Sequence, residues 1–115
     1  MSAKQVIKIS GAESSLFPGN MDTYQVLKAA HVLRAINHPL RQKMIQYIHH
    51  SGKANVTQIY IKLRLEQSVA SQHLAILRKA GFVKTERSGK QIYYSIDYDK
   101  LTQVEDLSKQ LLSGK

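Results

Sequence analysis

Gln67, Ser68, Ser71 and Gln72 crowd into the stretch EQSVASQHLAILRKAGFVK and offer hydrogen-bond donors and acceptors without a charge among them. A glutamine amide presents an acceptor beside two donors in one plane, and a serine hydroxyl does either job. Such groups are too weakly acidic or basic to move protons, but they suit the edges of flat heterocycles such as adenine. The same stretch repeats Ala70, Leu74 and Leu77, with His73 alongside, at the i, i+3/i+4, i+7 spacing of a helix packed on one face. An ordinary solvated face would carry Glu and Lys throughout. Here the cations Arg78 and Lys79 wait until the end.

Other chemistries find little support. The chain has no cysteine, which removes disulfides, thiolate metal sites and Cys nucleophiles. Its five histidines are His31, His38, His49, His50 and His73. Only His49 and His50 adjoin, and neighbours at i and i+1 diverge around a helix, so no metal site is expected. The acids Asp97, Asp99, Glu105 and Asp106 are read as lying around a helix start, where the helix dipole accounts for them. Neither enzymatic activity nor a cofactor is expected.

These side chains need elements to hold them. The first twenty residues, ending in GAESSLFPGN, lack a sustained period and read as a flexible arm (residues 1–20), although QVIKI within it could pair as a short strand. Asp22 is a natural N-cap for a helix through Ile36 that carries apolar residues on more than one face. Pro39 and Gly52 bracket a second helix with Leu40, Met44, Ile45 and Ile48 as its buried stripe. A short helix follows from about Val56 to Leu63, then RLE, then the helix that begins at Gln67. Beyond Gly81 the period changes from 3.6 to 2, through FVKTE, RSGK and QIYYSID. That pattern predicts a hairpin whose tip carries Arg87, Gly89 and Lys90, with Gly89 at positive φ and one of Tyr93 and Tyr94 facing inward. A last helix repeats Leu101, Val104, Leu107 or Ser108, and Leu111 at heptad-like spacing. Tyr24, Tyr60 and Tyr98 are candidates to line an inducer pocket.

At 115 residues the chain is expected to form one domain, residues 21–115, behind its arm. Lys and Arg total 17 against 8 Asp and Glu, a formal charge of +9. Such an excess points to a polyanionic partner. No apolar run approaches the length that crosses a bilayer, and the N-terminus makes a poor signal peptide, so a cytoplasmic protein without a membrane partner is expected.

Helix, helix, short helix, tight turn, helix, basic hairpin, helix is the order of a winged helix-turn-helix: mainly α, about five helices, with a small β-hairpin wing. In that arrangement Gln67, Ser68, Ser71 and Gln72 face base edges, Arg78 and Lys79 meet phosphates, and Lys62, Arg64, Arg87 and Lys90 grip the flanks.

INHPLRQKMIQYI and SVASQHLAILRKAGFVKTERSGKQIYYSI together resemble the ArsR/SmtB family of bacterial winged-helix repressors, from about Ala35 to Leu101. The resemblance implies a homodimer paired through the first and last helices and bound to imperfect inverted repeats of double-stranded DNA. Val26, Leu27, Leu33, Leu101, Val104, Leu107 and Leu111 are the residues available for such a seam. His73 matches the family's recurrent histidine on the inner edge of the recognition helix, where packing with a hydrogen bond is expected. Arg64 stands where Gly is common in the turn, which predicts a non-glycine residue at positive φ. Glu66 replaces the usual Ser or Thr cap. Asn55 and Val56 stand where metal-sensing members carry Cys, and Tyr98, Lys100, Leu111 and Gly114 lie near their second site, so neither familiar metal site is present.

The expectation is therefore a sequence-specific, DNA-binding transcriptional regulator, a homodimeric repressor at an inverted-repeat operator, with room for a small-molecule or protein effector. A sequence-tolerant architectural DNA binder and a winged-helix docking module are the alternatives.

Overall fold

The computed structural model describes residues 22–113. Helix α1 is Thr23–Ile36, α2 is Pro39–Ser51, α3 is Val56–Leu63, α4 is Gln67–Lys79 and α5 is Tyr98–Leu112. Strands β1 (Ala54–Asn55), β2 (Val83–Ser88) and β3 (Gln91–Ile96) form an antiparallel sheet in the order β1-β3-β2. This is a winged helix-turn-helix. The arm and its QVIKI strand lie outside the described residues. The chain divides into two units between Val32 and Leu33, within α1.

In the first unit, Asp22 caps α1 by accepting hydrogen bonds from the Tyr24 and Gln25 amides at 3.0 and 3.3 Å. Val26 is exposed on that helix and Leu27 half-buried.

In the second unit, Met44 and Ile48 of α2, Ile59 of α3, Ala70, Leu74 and Leu77 of α4, and Phe82 close to a fully buried core, joined by Ile45, Val83 and Ile96. Local chemistry sets the ends of these helices. His38 Nδ1 accepts from the Leu40 amide at 3.1 Å to cap α2, where Pro39 enters the first turn, and Gly52 at φ 84° ends it. Asn55 and Gln58 cap α3 reciprocally, side chain to amide in both directions at 2.8 and 2.9 Å. Asn55 also donates from Nδ2 to Gln91 Oε1 at 3.2 Å, tying the start of α3 to the wing.

Helices α3 and α4 finish in the same Schellman arrangement. In α4 the Gly81 amide donates to Arg78 and the Phe82 amide to Leu77, with Gly81 at φ 90°. In α3 the Arg64 amide donates to Ile61 and the Leu65 amide to Tyr60, and the left-handed residue is Arg64 itself, at φ 59° and ψ 51°. It is the one non-glycine residue with positive φ among those described, as the sequence predicts.

Three details differ from the sequence reading. Nothing in the sequence marks strand β1: Ala54 and Asn55 are too short to carry a period, and they pair with Tyr94 and Tyr93 because the outer edge of β3 is otherwise open. Both wing tyrosines are half-buried, with Lys53 Nζ 4.8 Å from the Tyr93 ring centroid. The hairpin closes at Ser88 and Gln91, so its tip is Gly89-Lys90 with Gly89 at φ 65°, and Arg87 belongs to β2 opposite Ile92. Glu105 and Asp106 lie in the middle of α5 rather than at its start, and Glu105 sits 3.6 Å from Lys109. Asp97 is the true cap, accepting from the Lys100 amide.

Candidate nucleic-acid interface

Burial of Ala70, Leu74 and Leu77 fixes which side of α4 remains outside. At about 100° per residue, Ser68, Gln72 and Lys79 fall opposite that stripe, Ser71 lies beside them, and Gln67 and Arg78 border the same face. All six are exposed. Ala75 and the exposed Ile76 complete the outer face; sequence reasoning counted them as neither core nor site, although apolar contact suits a thymine methyl. Glu66 precedes α4 in extended conformation and makes no side-chain cap, so the first amides of the helix are left to other acceptors.

Further exposed cations lie on α3, the turn and the wing. Lys62 is exposed near the end of α3 and Arg64 in the turn that follows. The Arg64 side chain therefore leaves a left-handed backbone just before α4 begins, in the connection between the two helices of the motif. On the wing, Arg87 and Lys90 are exposed, one in β2 and the other at the tip.

The inner edge of α4 is built differently. His73 is half-buried, and its Nδ1 lies 3.1 Å from Nη1 of Arg41 in α2. Its ring centroid is 4.8 Å from that of His38. Burial, then the nearby charges of His38 and Arg41, hold its pKa below the ordinary histidine value. The expected hydrogen bond of His73 is thus present. Arg41 itself escaped the sequence reading, although it fits the apolar row of α2 with Met44, Ile45 and Ile48 at i, i+3, i+4, i+7, where a cation is out of place.

Among the described residues no three His, Asp or Glu side chains gather as metal ligands. His49 shares a hydrogen bond of 2.8 Å with the Tyr98 hydroxyl at the surface, where Tyr98 is 52% exposed. No described helix is long and apolar enough to cross a membrane.

Residues 38–85, from the cap of α2 into β2, match the model of the bacterial regulatory protein arsR family. The transcriptional repressor PagR of Bacillus anthracis is 40% identical over 72 residues, 63% of this chain and 72% of PagR. The chain belongs to the arsR family. An HTH-type transcriptional regulator of Methanocaldococcus jannaschii, MJ1325, is 32% identical over 91 residues, 79% of this chain and 100% of that one. In three dimensions the PagR crystal structure aligns with a TM-score of 0.61 at 35% identity, covering 75% of this chain and 98% of PagR. NolR from Sinorhizobium fredii aligns at 0.67 and 25% identity, covering 88% and 100%. As an arsR-family member the protein is a DNA-binding transcriptional regulator and not an enzyme.

Proposed function

We propose that this arsR-family chain is a homodimeric repressor that binds an inverted-repeat operator in double-stranded DNA. The reading rests on the outer face of α4, where Ser68, Ser71 and Gln72 stand exposed with Lys79 among them and Arg78 at the border. Uncharged, short side chains let a helix approach a major groove, and Gln72 can pair bidentately with an adenine edge, assisted by Gln67 at the border. Arg78, Lys79, Lys62 and Arg64 serve phosphates from the helix-turn-helix, and Arg87 and Lys90 serve them from the wing. Residues 21–115 act as the DNA-binding and dimerisation region, and the site of action is the cytoplasm, where bacterial DNA lies.

Two helices carry the self-association. No residue of α5 is buried, yet Leu107, Leu111 and Leu112 are 37, 65 and 85% exposed, and Leu101 and Val104 are only half-covered. Val26, Leu27 and Leu33 supply matching apolar surface on α1. Fully covering an exposed leucine contributes about 1.5–3 kcal/mol, so this apolar row supplies a driving force for pairing two chains. Two recognition helices then meet successive grooves about 34 Å apart.

Selection from a randomised duplex library at near-physiological salt tests the reading. Enrichment of an inverted repeat with half-sites about one turn apart supports it. Retention without a motif supports an architectural binder instead, and no retention supports a docking module.

A further inference from the structure

Arg41 is only 8% exposed, and none of the described carboxylates pairs with it. Burying a guanidinium is costly unless its donors are met. Each nitrogen here has a neutral acceptor. Nε donates to the Ala35 carbonyl at 2.6 Å, Nη2 to the Arg34 carbonyl at 3.3 Å, and Nη1 to His73 Nδ1 at 3.1 Å. The two carbonyls belong to the last turn of α1, a helix end that favours a cation. The imidazole belongs to the recognition helix. One side chain of α2 therefore links the end of α1 to the inner edge of α4.

The protonation state follows from the donors. A guanidinium has no acceptor, so His73 Nδ1 must keep its lone pair, which makes the ring neutral with its proton on Nε2. His38 Nδ1 accepts from the Leu40 amide, and its ring lies against that of His73. A proton on His73 Nδ1 sets a second donor and a like charge against Arg41. The charged or titratable side chains that act on His73 are Arg41 and His38, both disfavouring the imidazolium.

We propose that Arg41, His73 and His38 form a positioning unit that seats the recognition helix for DNA, and that protonating His73 unseats it and weakens operator binding. The inference rests on the DNA-reading function proposed above. Gln72 and His73 are consecutive on α4, so a shift that breaks the Arg41 bond moves the outer face with it.

The test measures binding of the full chain to its selected duplex by fluorescence anisotropy from about pH 8 to about pH 5.5, at constant ionic strength. Wild-type affinity should fall with pH, by up to about tenfold per pH unit for each proton taken up. Newly charged histidines acting only on phosphates give the opposite trend. His73→Asn keeps an acceptor near Nδ1 but does not titrate; it should bind like wild type at high pH and show a flatter profile. Arg41→Lys keeps the charge but loses the fork, and should bind about tenfold more weakly at high pH with its circular dichroism unchanged. If that variant does not fold, the comparison of wild type with His73→Asn decides. A wild-type profile that is flat or rises with acid, or a His73→Asn profile as steep as wild type, overturns the inference. A wild-type protein that holds no selected duplex at any pH fails the DNA reading itself, and the inference falls with it.

Discussion

Replacing Arg64 separates backbone strain from phosphate attraction at a single position. Helices α3 and α4 end in the same pair of backbone hydrogen bonds, but α4 uses Gly81 in the left-handed position and α3 uses an arginine at φ 59°, ψ 51°. A β-carbon in that conformation costs about 1–2 kcal/mol. Glycine removes this cost but loses about 0.5–1 kcal/mol through the greater freedom of the unfolded chain. Arg64→Gly should therefore stabilise the fold by about 0.5–1 kcal/mol, read as a higher urea midpoint at unchanged slope. Arg64→Ala keeps the β-carbon and should leave stability near wild type. Both variants remove the same cation. If Arg64 contacts a phosphate, each should lower the dependence of log K on log salt by about 0.9, equally. Stabilisation by Ala as large as that by Gly would refute the strain account, since charge removal would then explain both. An unchanged salt slope in both would take Arg64 off the DNA backbone while leaving the strain account intact.

Other expectations follow from burial, from the outer face and from titration. Leu74→Ala, at a fully buried position in α4, should cost about 2–5 kcal/mol in urea unfolding, and a loss well below that range would mean the core relaxes around it. Gln72→Ala should relax base preference and cost about 1–3 kcal/mol on the selected operator; an equal loss on every duplex contradicts base reading. Introducing glutamate at Leu107 and Leu111 together should give a monomer by sedimentation with helix content retained, and an unchanged mass would remove these residues from the seam. Stability should also depend on pH through His73, whose folded pKa is depressed, so the unfolded chain binds the proton more readily. That contribution is present above the unfolded value of about 6.5 and is lost as pH falls through the folded one. His73→Asn should lose this part of the acid sensitivity, and a urea midpoint with the same pH dependence as wild type would show that other groups carry it.

Much of the fold is legible because certain residues have one conformational use. Asp22, Pro39, Gly81 and Gly89 mark a cap, a first turn, a helix exit and a hairpin tip, and each occupies that place. The outer face of α4 is legible for a related reason: a solvated helix face ordinarily carries charges throughout, so an unusual run of Gln and Ser stands out in one dimension. Partnership is harder to read. The two residues of β1 have no period of their own and become a strand only because β3 presents an open edge. The heptad-like row of α5 announces an apolar seam but not what covers it, and Leu107 and Leu111 prove to be on the exposed side. Arg41 is the sharpest case. Its position in an apolar row of α2 was visible, and a buried cation demands acceptors. The acceptors, however, are two backbone carbonyls, which carry no residue signature, and an imidazole 32 residues away. Sequence thus exposes the surface that α4 offers more readily than the support behind it, and a cation at core spacing is the one-dimensional sign that such a support exists.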